Sequence, residues 1–108
     1  ILLAALVLGA RGAVGSTYNY AAPIYHRVME AHARGDLNAA GAAQLEAVNF
    51  IAAFSKYNGL SANKVIMRLI GLDCGPIRQP LSQIEPEQEE LLKSDLEALG
   101  FFKAIALE

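Results

Sequence analysis

The chain opens on Ile1-Leu2-Leu3-Ala4-Ala5-Leu6-Val7-Leu8, a run without a single polar side chain that stops at Gly9 and is followed by Arg11. A segment apolar on every side has no face to offer to water and must be covered however it folds; its Ala and Leu content favours a buried helix over a buried strand. It is well short of the roughly 20 residues that cross a bilayer and lacks the basic leader of a signal peptide, so no membrane partner is expected. The 108 residues are 54% hydrophobic, and small domains bury a smaller share of their surface than large ones. A chain this apolar, starting inside a hydrophobic element without an initiator methionine, is expected to be a piece of a longer protein that hides its apolar faces against polypeptide outside this sequence.

The remaining pattern is a series of helices punctuated by glycine. Gly12-Ala13-Val14-Gly15-Ser16 is too short and glycine-rich for a helix and suits a short interior strand with crowded neighbours. A helix is predicted from Asn19 or Tyr20 to Arg34, with Pro23 in its first turn, Ile24, Val28 and Ala31 on one face, and Gly35 as its stop. Asp36 is the N-cap of a longer helix whose apolar side is read as Leu37, Ala40, Gln44, Val48, Ile51 and Ser55. Tyr57-Asn58-Gly59 breaks it, and Ser61 is expected to cap a short helix carrying Val65, Ile66, Leu69 and Ile70, closed by Gly71. An irregular connection covers 72–83. Pro86 opens a last helix with acidic residues at its start and an inward stripe of Leu91, Leu92, Asp95, Leu96 and Leu99, ended by Gly100. The tail Phe101 to Glu108 shows no clear period.

Composition excludes several kinds of chemistry. Nine basic against eleven acidic side chains leave a formal charge of -2, no footprint for gripping nucleic-acid phosphates. The single Cys74 cannot form an internal disulfide, which fits a reducing cytosol, and it lies in a Gly/Pro loop without a neighbouring base. His26 and His32, six residues apart on one helix, fall on different faces and show no zinc spacing, so no metal site is expected. The glycine-rich stretch Gly9 to Thr17 invites a phosphate-loop reading, but no lysine precedes Ser16-Thr17 and the glycines recur every third residue rather than as G-x-G-x-x-G. The residues by themselves allow those glycines simply to let a strand and a helix pack closely.

Gly12-Ala13-Val14-Gly15-Ser16-Thr17-Tyr18-Asn19-Tyr20 resembles the segment entering the last barrel helix of the N-acetylneuraminate lyases, the sialic acid aldolases of the dihydrodipicolinate synthase-like superfamily. Leu6-Val7-Leu8-Gly9-Ala10 is similar to the end of that family's preceding helix. Lys64-Val65-Ile66-Met67 with Gly71, Gly75-Pro76, Arg78 and Pro80-Leu81 is similar to the C-terminal region of the animal-type lyases. The resemblance runs in order along nearly the whole chain, and Gly15-Ser16-Thr17-Tyr18-Asn19 is its most specific element.

The resemblance implies an α/β fold, the C-terminal portion of a (β/α)8 TIM barrel. Residues 1–35 would be its last βα portion, with a seventh helix at Ile1 to Leu8, an eighth strand at Ala13 to Ser16 and an eighth helix from Tyr20 to Arg34. Residues 36–108 would be a C-terminal helical extension, leaving this stretch mostly α. Such barrels need about 250 residues. The implied reaction is retro-aldol cleavage of N-acetylneuraminate to N-acetylmannosamine and pyruvate through a lysine Schiff base, with sialic acid and pyruvate as small-molecule substrates, no cofactor, a cytoplasmic location and a homotetrameric parent. A Schiff-base lysine must present a neutral amine from a desolvated or cationic pocket. Lys56, Lys64, Lys93 and Lys103 lie in or beside helices of the extension and read as surface cations. The catalytic lysine, its tyrosine partner and an acidic pair that holds the sugar's hydroxyl tail are implied upstream of Ile1, so the stretch alone should be inactive.

Site residues that carry over are few. Ser16 falls at the carboxyl end of the eighth strand, the face on which barrel active sites are built. The resemblance implies that its hydroxyl hydrogen-bonds the substrate's glycerol side while Gly15 lets the backbone approach; the alternative is that Ser16 only caps the next helix. Leu60 matches a position whose apolar side chain flanks the substrate, against the plainer alternative of a packing leucine. Tyr18, Tyr20 and Tyr25 read as packing residues with hydrogen-bonded hydroxyls. Two other functions stay open: a superfamily aldolase or synthase acting on a different 2-oxo acid, and a free-standing helical interaction module whose Ile1 to Leu8 segment docks into a partner.

Overall fold

A computed structural model describes residues 1–106. It contains six helices among those residues: α1 (Leu2–Val7), α2 (Tyr18–Ala33), α3 (Leu37–Ser55), α4 (Gly59–Leu69), α5 (Pro86–Ala98) and α6 (Phe101–Ala104). The chain divides into two compact units, one made of Ile1–Asn49 and the segment from Ala104, the other of Phe50–Lys103.

In the first unit the opening run is helical, as its composition dictates, with Leu2 and Leu6 buried against α2. The other sides of the run stay uncovered: Ile1 is 94% and Leu8 88% exposed. The expected strand at 13–16 does not form. No strand occurs among the described residues, and Val14 is fully exposed. The physical reason is the ladder: a strand exists only through hydrogen bonds to a neighbouring strand, and the described residues supply none.

Helix α2 begins earlier than expected, at Tyr18, and breaks at Ala21, whose φ of -111° and ψ of 19° are not helical. Pro23 lacks a backbone donor and its ring crowds the preceding turn, so the regular helix starts afresh around it. Ile24, Val28 and Ala31 are buried, as their spacing predicts. Gly35 ends the helix at a φ of 76°, a left-handed value that only glycine adopts freely. Asp36 then caps α3 by accepting the Ala39 N–H at 2.9 Å.

The buried face of α3 differs from the expected one. Ala40, Ala43, Ala47, Phe50 and Phe54 are buried, whereas Leu37, Val48 and Ile51 are exposed. Both sets recur at helical spacing; small alanines permit the closer approach, so the alanine face wins inside this chain and the larger aliphatics are left outside.

In the second unit Phe50 and Phe101 meet edge to face at 5.0 Å between ring centroids. Phe101, in the short α6, is buried although the tail showed no period. Helix α4 starts at Gly59, following Asn58, which takes the N-cap position with a left-handed φ of 59°. Ser61 is therefore inside the helix rather than capping it. Its side chain is needed elsewhere: it is 2% exposed and its hydroxyl donates to the Ser82 carbonyl at 2.6 Å. Pro86 occupies the first turn of α5 with Glu87 and Glu89 beside it. The inward stripe of α5 is narrower than expected: Leu92 and Leu96 are fully buried, while Leu91 and Leu99 face solvent. Arg68 of α4 pairs with Glu89 of α5.

Candidate functional site

Gly15 and Ser16 lie at the end of an extended, exposed segment that leads into α2. The three neighbouring groups able to cap the helix are engaged or turned away. Thr17, at the N-cap position, makes no side-chain cap and instead shares a 2.7 Å hydrogen bond with the Tyr25 hydroxyl. Asn19 turns back and donates to the Ser16 carbonyl at 2.9 Å. Ser16 itself contributes only that backbone oxygen among the described residues, so its hydroxyl does not cap α2 and is left facing water. The alternative of a capping serine is thus not what the chain adopts.

Gly15 is constrained from one side. A Cβ there would come within 3.0 Å of the Tyr18 ring, which itself packs against Tyr25 at 4.2 Å between centroids with the rings tilted by 54°. Burial pushes the Tyr18 phenol above its ordinary pKa, and its neighbour Tyr25 adds to the effect, so Tyr18 stays neutral at neutral pH. Tyr20 is pushed up further by burial, again reinforced by Tyr25. Beside the Tyr18 and Tyr25 rings a cavity of about 220 Å³ is lined by Leu2, Gly12, Ala13, Tyr18, Ala22, Tyr25, His26 and Met29. With no lysine or carboxylate in its wall, it has neither an amine to form an imine nor an acid to hold a polyol.

Leu60, in the second unit, is 58% exposed on the first turn of α4. It is not a packing leucine within this chain. The turn before it is held by groups that sequence analysis assigned to other roles. Tyr57 donates its phenol to Asp95 Oδ2 at 2.6 Å, and Lys56 Nζ lies 2.7 Å from the same oxygen. The Lys56 and Tyr57 hydrogen bonds hold the Asp95 carboxyl below the usual carboxylate range. Asp95 in turn raises both Lys56 and Tyr57, which rules out Lys56 as a neutral nucleophile. Asp95 was expected in an apolar stripe and Tyr57 only as a helix breaker; residues 38 apart in sequence leave no local signal of their pairing.

The remaining expected surface groups behave as such. Lys64 donates to the Cys74 carbonyl at 3.0 Å, and Cys74 is exposed with its thiol 3.6 Å from the Leu72 carbonyl. Among the described residues no cluster of His, Cys, Asp or Glu is arranged to hold a metal ion, and no helix is long and apolar enough to cross a membrane.

Comparison with known proteins places this arrangement. The model of the dihydrodipicolinate synthetase family matches residues 1–99. The N-acetylneuraminate lyase of Rattus norvegicus is 41% identical over 102 residues, 93% of this chain and 32% of the rat protein. The structure of Proteus mirabilis N-acetylneuraminate lyase superposes with a TM-score of 0.85 at 37% identity, covering 93% of this chain and 34% of that one. That of the Aliivibrio salmonicida lyase, or sialic acid aldolase, gives the same TM-score at 35% identity over 93% of this chain and 33% of its own. The chain spans about a third of the length of these relatives, and the part it resembles is C-terminal. Matched by the family model over almost its entire length, the chain belongs to the dihydrodipicolinate synthetase family.

Proposed function

We propose that this chain is the closing third of a Schiff-base aldolase that cleaves N-acetylneuraminate to N-acetylmannosamine and pyruvate. The observation that carries the proposal is the agreement in fold and sequence with lyases of that name over 93% of the chain. In this reading residues 1–35 are the last βα portion of a TIM barrel and 36–108 the helical extension. The exposed Val14 segment is the eighth strand without its neighbours.

The reacting amine comes from polypeptide outside this chain, together with the tyrosine and the acidic pair. That lysine condenses with the substrate's keto carbon and releases water. The protonated imine then accepts the electron pair of the breaking carbon–carbon bond as the aldehyde sugar departs, and the resulting enamine is protonated and hydrolysed to pyruvate. This chain's share is binding. The free Ser16 hydroxyl can donate to and accept from the substrate's glycerol-side oxygens at once. Gly15 keeps the backbone close to the ligand, and Leu60 supplies an apolar flank. The parent is cytoplasmic and tetrameric. A second reading, an aldolase or synthase for another 2-oxo acid, is favoured by the breadth of the family whose model matches.

The test is chemical trapping. The parent protein, treated with borohydride in the presence of pyruvate, should gain a stable pyruvyl adduct on a lysine and lose its cleavage of N-acetylneuraminate, whereas the 108-residue chain alone should gain nothing and cleave nothing. A parent that neither cleaves nor is trapped overturns the proposal. So does an isolated chain that runs on gel filtration as a compact monomer and melts cooperatively, the behaviour of a self-sufficient module.

A further inference from the structure

The turn between α3 and α4 is held far more firmly than a connection needs. Asn58 sits in the left-handed region, with φ 59° and ψ 77°, although Gly59, which would occupy that region without steric cost, is the very next residue. Asn accepts that region at less cost than other non-glycine residues, and here its surroundings fix it there. Those surroundings are specific. Tyr57 is tied to Asp95 of α5 at 2.6 Å, with Lys56 on the same oxygen. Asn58 Nδ2 and Ser61 Oγ both donate to the carbonyl of Ser82, at 3.4 and 2.6 Å. The residues on either side of Leu60 are thus anchored to two separate segments of their unit, while Leu60 itself is left 58% exposed. A shift of the left-handed position by one residue, to Gly59, would relieve the strain but rotate the start of α4 and carry Leu60 to another face.

We propose that Asp95 is a positioning residue: through the Tyr57 hydroxyl it locks this turn so that Leu60 is presented outward as a fixed apolar contact for the sugar-acid substrate. This rests on the reading of Leu60 as a substrate neighbour. Asp95 touches no reacting atom and acts only by where it holds the turn. Its low pKa keeps it an ionised acceptor at neutral pH, so the lock does not titrate in the working range.

Steady-state kinetics of the intact parent enzyme decide it. Leu60→Ala should raise KM for N-acetylneuraminate by about tenfold, the lower end of what a missing methylene costs in an apolar pocket, with kcat little changed. Asp95→Ala should raise KM by about threefold, the order of one net hydrogen bond, again with kcat little changed. Asp95→Asn, whose amide oxygen still accepts from Tyr57, should restore KM to the wild-type value. The decisive readout is the double variant: if Asp95 acts through Leu60, adding Asp95→Ala to Leu60→Ala raises KM no further. Additive effects in the double variant, or an Asp95→Ala enzyme with normal KM and only a lower melting temperature, overturn the inference and leave the lyase reading intact. A wild-type parent that does not cleave N-acetylneuraminate overturns that reading and this inference with it.

Discussion

Two irregular stretches, one carrying Gly15 and Ser16 and the other lying beside the turn that precedes Leu60, are held in opposite ways. Residues 11–16 find no acceptor for their backbone N–H groups among the described residues, and Val14 is bare. The connection from Gly71 to Glu85 and the Tyr57 turn beside it are stitched by their own unit. Gly75 N–H bonds to Asp73 Oδ1 at 2.8 Å, and Gln83 Nε2 donates to the Ile77 carbonyl at 2.9 Å. Ser82 accepts from both Asn58 and Ser61, and Ile84 is buried. Backbone groups must be satisfied by chain or by water. Part of the second stretch is tied by side chains of its own unit, while the first has no such tie among the described residues. Absence of regular secondary structure therefore takes two forms here: a connection pinned at several points and a segment left bare.

The largest effect should come from testing the bare segment. Val14→Asp in the parent places a carboxylate in the proposed eighth strand, which a parallel barrel covers on both faces, and an unpaired buried charge costs several kcal/mol. Soluble expression and cleavage should both be lost, while the helical far-UV signal of the isolated chain should not change, because Val14 is already in water there. A parent that tolerates the substitution would break the comparison by making the segment a surface loop.

A smaller effect sharpens the pinned connection. Ser61→Ala removes the hydroxyl that ties α4 to Ser82 and should cost about 1 to 2 kcal/mol, read as a lower denaturant midpoint of the parent. A midpoint unchanged from wild type would mean that the connection is not held by its own side chains.

The smallest effect is in the pH dependence. Asp95 has a depressed folded-state pKa, so its unfolded form binds the proton more readily and stability rises with pH through that interval. The stabilisation is complete above the ordinary carboxylate range and lost as pH falls through the folded value. The stability difference between wild type and Asp95→Asn should accordingly be full at neutral pH and vanish in acid. Asp95 keeps 36% of its side chain exposed, so solvent screens the pair and the difference should be small. A difference that grows on acidification would contradict the assigned direction.

Local chemistry was legible from sequence where a single residue decides the outcome. Asp36 as a cap, Gly35, Gly71 and Gly100 as helix stops, and Pro86 as a helix start all act through the conformation or hydrogen bonding of the residue itself. The family was legible as well, through the resemblance whose most specific element is Gly15-Ser16-Thr17-Tyr18-Asn19, and the family model matches residues 1–99. Illegible were choices between equivalent patterns. The alanine and the aliphatic faces of α3 have the same period, and Ser61 is as good a cap as it is a buried donor.

The sequence by itself determined where the helices stop, the cap of α3 and the start of α5, and which family they belong to, since glycines, caps and motif residues act within a few positions. Only the tertiary structure decided which face of α3 is buried, that Asp95 and Tyr57 meet, and that Val14 has no strand to pair with. Each of those depends on residues far apart in the chain, and their approach is set by packing and hydrogen-bond satisfaction across elements rather than by local preference.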